Sequence, residues 1–267
     1  MGKIAFARLS GLLAAGGALA LSGAAAHAAA TLVADYEFSG DLSSSVAGAP
    51  NLIAVDPGNV GSFNAGGTYN WGGSASPATS QGGFTFDNNS GLLPNNDYSV
   101  ALRFEFNTGN NAFRRILDFQ NRASDNGLYA GTSNDLDLFG GGGDGLTSLD
   151  SGEFHSVVLT VGGGVVTGYV DGTQAFSVAD NGAADINNPQ NVLNLFLDNT
   201  GGFSSEWSAG TIDFAKFYSG VLDGGVITGP TPTGVPEPGT WALMLLGVGA
   251  IGASLRTNRR AGTAAAV

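Results

Sequence analysis

The chain has 267 residues, of which 44 are glycine and only 12% are charged. Glycine at about twice its average frequency interrupts helices and supplies turns, so the composition excludes a helical bundle and favours an all-β domain. Between Thr31 and Gly234 there are 5 bases and 21 acids, a net charge of −16, so no basic surface is available for nucleic acid.

Cysteine is absent, and histidine occurs only at His27 and His155. These counts exclude disulfide bonds, a thiolate nucleophile and zinc sites built from Cys and His. A metal site would therefore use oxygen ligands, which are the ligands that Ca²⁺ prefers.

The first thirty residues read as an export signal. Lys3 and Arg8 precede an apolar run from Leu9 to Leu21, and Ala26-His27-Ala28 offers the small residues that a signal peptidase recognises. We therefore predict a signal peptide over residues 1–30. The alternative, a buried N-terminal helix, is disfavoured because the segment is not amphipathic. After cleavage, His155 is the one imidazole before the C-terminal region.

From Thr31 onwards the apolar residues alternate with period two, and turn residues separate the runs. Eleven short strands follow, which indicates an antiparallel β-sandwich domain over residues 31–224. The predicted strands are Thr31–Phe38, Phe84–Phe86, Tyr98–Phe106, Arg115–Phe119, Gly127–Ala130, Leu136–Phe139, Glu153–Val161, Val165–Val170, Gln174–Val178, Val192–Leu197 and Thr211–Tyr218.

Two features of this domain follow from local physics. Asp171-Gly172 lies between two alternating runs, where a tight hairpin turn needs positive φ. Five large apolar side chains of one strand share a face and should point into the core. They are Tyr98, Val100, Leu102, Phe104 and Phe106.

Several segments in order resemble the laminin-G-like or concanavalin A-like jelly roll. Tyr36 to Leu42 looks like its opening strand, and Tyr98 to Phe106 like its long central strand. Glu153 to Val161 is similar to its aromatic-His-x-Val strand, Gly168 to Gly172 to its strand and hairpin turn, and Trp207 to Tyr218 to its closing strand. The resemblance implies a β-sandwich that binds sugars or protein loops, often with Ca²⁺.

Glycoside hydrolysis on this fold needs two carboxylates held across the sugar bond. The Glu-x-Asp-x-x-Glu run of the retaining glucanases is absent; only Asp35-x-Glu37, Asp150-x-x-Glu153 and the pair in Asp135-Leu136-Asp137 come near it. We interpret these as solvated strand faces or turns, and His155 as a hydrogen-bonded histidine near the sandwich rim. No catalytic residue is assigned, and the chain is not expected to be an enzyme.

Oxygen-bearing residues in turns are the candidate Ca²⁺ ligands: Asp125, Asn126, Asp171, Asp198 and Asn199. The alternative is that they only cap turns, as Asp and Asn commonly do.

Two tryptophans and two arginines are the candidate ligand contacts. Trp71 and Trp207 could stack on sugar rings, although a strand aromatic is more often part of the core. We interpret Arg114 and Arg115 as a solvated strand start, and secondarily as a contact for an acidic sugar.

The C-terminal region has the features of a second targeting signal. A linker over residues 225–234 leads to Pro236-Glu237-Pro238, then to an apolar run over residues 241–255 and an arginine cluster; a tail over 261–267 follows. The cluster consists of Arg256, Arg259 and Arg260.

This order of features over residues 235–260 resembles the PEP-CTERM sorting signal of Gram-negative bacteria. The resemblance implies a transient inner-membrane helix, recognition by an exosortase-type enzyme and release to the cell surface or exopolysaccharide matrix. The alternative is an ordinary single-pass anchor that is retained.

The leading hypothesis is therefore an exported, non-catalytic adhesive or carbohydrate-binding protein of the extracellular polysaccharide. A structural matrix protein without a specific ligand is the first alternative. A glucanase-like glycoside hydrolase is the second.

Overall fold

The computed structural model describes residues 30–73, 81–107, 113–201 and 206–227. The predicted signal peptide (except Ala30), most of the linker, the apolar helix, the sorting signal and the tail lie outside these ranges. Within them, no helix has the length and apolar character that crossing a bilayer requires.

Nearly all regular structure in these ranges is antiparallel β-strand, joined near the end by one 3-10 turn at Asp223–Gly225. The strands are β1 (Thr31–Tyr36), β2 (Ile53–Val55), β3 (Ser62–Asn64), β4 (Thr68–Trp71), β5 (Gly83–Asp87), β6 (Tyr98–Phe106), β7 (Arg114–Asp118), β8 (Gly127–Ala130), β9 (Asp135–Phe139), β10 (Gly143–Ser148), β11 (His155–Gly162), β12 (Val165–Val170), β13 (Thr173–Ala179), β14 (Val192–Leu195) and β15 (Gly210–Ser219).

The described strands form two sheets that pack face to face. Sheet A has the order β13-β12-β11-β6-β15-β4-β3, with β1 also paired to β15. Sheet B has the order β10-β9-β8-β7-β14-β5-β2. This arrangement confirms the predicted all-β antiparallel sandwich.

The core lies between the inner faces of the two sheets. The five apolar residues of β6 that were predicted to share a face all belong to it. From sheet B, Leu136 and Leu138 of β9 point inward, and Asp135 and Asp137 are more exposed. Strand alternation therefore places the carboxylates of β9 on the outer face of sheet B, as the sequence predicts.

A second apolar cluster covers part of the outer face of sheet A. It consists of Ala101, Val158, Tyr218 and Leu222. The partly buried Ala30 and Ile227 pack against it. Packing therefore continues three residues past the predicted domain end at 224.

Candidate functional site

The outer face of sheet B carries a row of hydrogen-bonded polar side chains. On β5, Thr85 Oγ1 donates to Asn194 Oδ1 of β14 at 2.7 Å. Asn194 Nδ2 donates to Asp118 Oδ2 of β7 at 2.8 Å, and Arg115 Nη1 donates to Asp118 Oδ1 at 3.0 Å. The face opposite the apolar core thus carries a polar network that spans three strands, and its Asn194, Asp118 and Arg115 side chains are buried.

A bulge in β7 places Arg115 on this face. The pairing of β7 with β8 shifts register between Arg115 and Leu117, so Ile116 and Leu117 are both in the core. Simple alternation would have sent Arg115 and Leu117 to the same face.

Four carboxylates surround the Arg115 guanidinium, and we call these five residues the Arg115 cluster. The nearest oxygens of Asp118 and Asp198, whose side chains are fully buried, lie 3.0 and 3.5 Å from its nitrogens. Asp125 and Glu206, which are partly exposed, lie at 3.9 Å. Arg115 also donates to Ser124 O at 3.0 Å and to the Tyr129 hydroxyl, so it ties β7, β8 and two loops together.

Burial and crowding of like charges shift the carboxyl groups of the cluster. Burial raises the pKa of Asp118, while the hydrogen bond from Asn194 and the charge of Arg115 act against the rise. For Glu206, burial and then the charge of Asp198 raise the pKa to about 7, although Arg115 opposes them. Glu206 is therefore protonated in part of the molecules at neutral pH.

An exposed aromatic and several acids lie beside the cluster on the same face. Tyr129 of β8 pairs with Asp137 of β9, which pairs with Asp144 of β10. Phe139 is 48% exposed and meets the Tyr129 ring edge-on, with 6.3 Å between ring centroids. The Phe113 ring also meets the Tyr129 ring edge-on, with 6.0 Å between ring centroids.

Asp137 is the titrating group of this aromatic flank. Burial, followed by the charges of Asp144 and Asp135, raises its pKa to about 6. A carboxyl that is neutral at mildly acidic pH can donate a hydrogen bond as well as accept one.

The structure brings together three of the five predicted calcium ligands. Asn199 N donates to Asp198 Oδ1 at 2.7 Å, and Asn199 Nδ2 donates to Asp125 Oδ1. Asn126 lies apart from them, with its side chain against Gly140 at the turn after β9.

Asp171 does not belong to that group. It occupies the β12–β13 turn, where its Oδ2 lies 2.8 Å from His155 Nδ1 and its Oδ1 accepts from Ser156 N at 2.8 Å. The prediction that His155 is hydrogen-bonded is confirmed. In the part of the chain that the structure describes, no group of three or more His, Cys, Asp or Glu has the geometry to hold a metal ion.

Two of the predicted ligand contacts are buried: Trp71 belongs to the core, and Arg114 packs against it. Trp71 is 3% exposed and stacks on Phe196 at 3.9 Å, while its Nε1 donates to Ser208 Oγ. A ring enclosed in this way cannot act as a surface platform, so that prediction is wrong for Trp71. Trp207, in contrast, is half-buried.

The two arginines are not a solvated strand start. Arg114 lies over the Phe106 ring at 4.2 Å and donates to Ser151 Oγ at 2.8 Å and to Asn134 Oδ1 at 2.7 Å. Arg115 is enclosed by its cluster. Both guanidinium groups are buried because acceptors and aromatic rings replace the water they lose.

Sequence reasoning missed Asp118, Glu206 and Phe139. The one available signal was an Arg-x-x-Asp spacing at 115–118 in a chain with few bases. A bulge cannot be read from that spacing, so the contact between Arg115 and Asp118 was not predictable.

Comparison with known families identifies the domain and the tail. The model of the concanavalin A-like lectin/glucanases superfamily matches residues 78–228, more than half of the chain. The chain belongs to this superfamily. The PEP-CTERM protein-sorting motif matches residues 234–260; it implies processing by an exosortase-type system and export towards the cell surface.

Solved structures share the concanavalin A-like fold at low sequence identity. Domain 4 of AbnA, a GH43 extracellular arabinanase from Geobacillus stearothermophilus in complex with arabinotriose, is 20% identical with a TM-score of 0.56; the match covers 74% of this chain and 96% of that one. Botulinum neurotoxin type C, whose cell entry depends on two ganglioside molecules, is 12% identical with a TM-score of 0.54. That match covers 73% of this chain and 49% of the neurotoxin chain. No curated protein matches the chain.

Proposed function

We propose that this exported chain binds a polysaccharide of the cell surface or extracellular matrix on the outer face of sheet B, without hydrolysing it. The observation that carries the proposal is the exposed Phe139 beside Tyr129, next to the carboxyl groups of Asp137 and Asp144. Sugar rings pack their apolar faces on aromatic rings, and their hydroxyl groups bond to carboxylates. This surface offers both.

Two of the fold's neighbours support a sugar ligand. The arabinanase domain was solved with arabinotriose, and the neurotoxin depends on ganglioside molecules. Their low identity conveys only the fold, so the proposal rests on the residues of this chain.

The arrangement of the carboxylates supports binding over hydrolysis. Glu206, with a pKa of about 7, has the protonation of a general acid. However, Asp118 and Asp198 are fully buried and paired with Arg115. A nucleophile or base must reach the sugar, and these two carboxylates cannot.

Calcium binding at the Arg115 cluster is a further part of the proposal. Asn199 Oδ1 and Glu206 Oε2 are buried acceptors without a hydrogen-bond partner among the described residues, and together with Asp125 they are hard oxygen ligands. Arg115 already neutralises part of the same charge. We expect weak binding, detectable as a rise in the melting temperature of the full chain with added CaCl₂ and its reversal by EDTA.

A polysaccharide panel tests the proposal directly. The full chain in detergent is applied to immobilised neutral, amino-sugar and uronic-acid polysaccharides, with calcium or with EDTA. Retention on at least one polymer is expected. Retention on none of the polymers favours a structural matrix protein. Release of reducing sugar from any polymer overturns the proposal that the chain is not an enzyme.

Two matched variants test whether the polysaccharide binds on the outer face of sheet B. Phe139→Ala removes the exposed ring and should weaken binding about two- to tenfold, since one stacked aromatic ring contributes about 0.5–1.5 kcal/mol. Phe63→Ala is the control, because Phe63 is 40% exposed on the edge strand β3 of sheet A. Equal losses in both variants would contradict the assignment to sheet B.

A further inference from the structure

Both ends of the described chain lie on one face of the sandwich. Ala30, which precedes β1, and Ile227, the last described residue, pack against the apolar cluster on the outer face of sheet A. In β6, Ala101 belongs to this cluster, whereas Val100 and Leu102 belong to the core. The cluster therefore lies on the side of the molecule opposite to sheet B.

The segment that leads to the sorting signal is fixed to this face. Gly220 N donates to Asp97 O at 3.0 Å, and Ser99 Oγ donates to Gly220 O at 2.9 Å. Leu222 N donates to Ser99 Oγ at 2.9 Å. Gly225 is so close to Tyr169 that a Cβ there would lie 2.6 Å from the ring. The chain therefore leaves the domain at a defined place behind sheet A.

The chain between this exit and the apolar run has a limited reach. Residues 228–240 number thirteen, and thirteen residues reach at most about 45 Å when fully extended. A domain of about 200 residues is about 40 Å across. The opposite face could meet the membrane only if the tether ran around the outside of the domain, which is a longer path than the width of the domain, so the tether keeps the exit face nearer to the membrane.

We propose that the outer face of sheet A is the anchor face of the domain, so that the tethered chain turns the outer face of sheet B away from the membrane. The polysaccharide face is then accessible before the sorting tail is processed, and tail removal leaves it unchanged. The orientation rests on insertion of the apolar run over residues 241–255, which the resemblance to the sorting signal implies; it does not depend on the ligand.

Two single-cysteine variants measure the orientation, because the chain contains no other cysteine. Ser177→Cys places a dye on the outer face of sheet A, where Ser177 is exposed and pairs with Thr167. Ile53→Cys places it on sheet B, since Ile53 is 54% exposed and lies opposite Thr85 of the polar row.

Each labelled chain, beginning at Thr31 as after removal of the predicted signal peptide, is reconstituted into phosphatidylcholine vesicles that carry a headgroup-linked acceptor dye. Energy transfer is compared with the same chain in detergent. We expect clearly higher transfer from the dye on the Ser177→Cys variant than from the dye on the Ile53→Cys variant. If the chain floats with the vesicles but the two dyes give equal transfer, or the dye on the Ile53→Cys variant gives more, the assignment of the anchor face is wrong. The proposed polysaccharide binding is not affected by that result. Failure to float with vesicles contradicts tail insertion and removes the basis of the orientation, whatever the polysaccharide panel shows.

Discussion

Arg115 lies among four carboxylates, and two of its partners, Asp118 and Asp198, have fully buried side chains. The charge of Arg122 also acts on these two carboxylates. A buried ion pair contributes little net stability when complete, but removing one member leaves an uncompensated charge. The Arg115 cluster is therefore a strict structural requirement for the loops that border the candidate site.

Replacing Arg115 should destabilise the domain strongly. Arg115→Met removes the guanidinium that lies 3.0 and 3.5 Å from the buried carboxylates of Asp118 and Asp198. We therefore expect a loss of about 3–5 kcal/mol in the free energy of unfolding, measured by urea denaturation. Arg103→Met is the control, because the Arg103–Asp213 pair is 39% and 34% exposed and such pairs contribute below about 1 kcal/mol. Similar losses in the two variants would show that Arg115 is not buried among acids.

Glu206 should make stability depend on pH. Its pKa rises from 4.5 to about 7 on folding, so between these values the folded chain binds more protons than the unfolded chain. The stabilising proton is therefore lost as pH increases through this window, and stability falls.

The variant Glu206→Gln removes this dependence. It should be more stable than the parent by about 1–2 kcal/mol at pH 8 and nearly equal to it at about pH 4.5, as measured by urea denaturation at both values. The exposed Glu153, changed to Gln, serves as the control. A difference that shrinks with increasing pH would contradict the assignment.

At the scale of elements, longer strands with clear alternation were predictable and most of the short strands were not. Each of the eleven predicted strands has a counterpart, and β6, β8 and β12 have the predicted bounds. The structure adds β2, β3, β4 and β10, which have three to six residues and pair at or near the sheet edges. Runs this short contain too few alternations to be distinguished from loops.

Positive φ angles explain why two strands end earlier than predicted. Phe38 and Phe196 have φ values of 49° and 62°, which terminate β1 and β14 before the predicted ends. An apolar pattern predicts burial, and both rings are indeed buried. It does not predict φ, because packing of the whole sandwich imposes the left-handed conformation on residues that rarely adopt it.

The β12–β13 hairpin is the element whose turn was predicted in detail. Asp171 and Gly172 have φ values of 50° and 76°, as a type I′ turn requires. A Cβ at Gly172 would meet nothing within 4 Å, so substitution there changes only backbone energy.

Gly172→Ala should therefore cost about 1 kcal/mol through φ alone, seen as a lower melting temperature. Gly66→Ala is the matched control, since that position is also open and its φ lies outside the left-handed region. If both variants melt at the same temperature, the turn does not need positive φ at 172.

At the scale of the whole molecule, the sandwich separates two surfaces. The outer side of sheet A carries both ends of the described part of the chain, Ala30 and Ile227, and sheet B carries the Arg115 cluster and the aromatic flank with Phe139. The fold and the C-terminal sorting motif could be predicted from the sequence, because they depend on alternation and on the order of segments. The site was not, because it depends on a bulge in β7 and on loops that approach one another across sheet B.

Hydrogen–deuterium exchange tests the central claim, polysaccharide binding on the outer face of sheet B. The full chain in detergent is compared with and without the polymer it retains best in the panel. Slower exchange is predicted over Gly127–Ser148, which spans β8, β9 and β10, with no change in β11, β12 and β13 of sheet A. Protection confined to sheet A, or no retention by any polymer, would contradict the account.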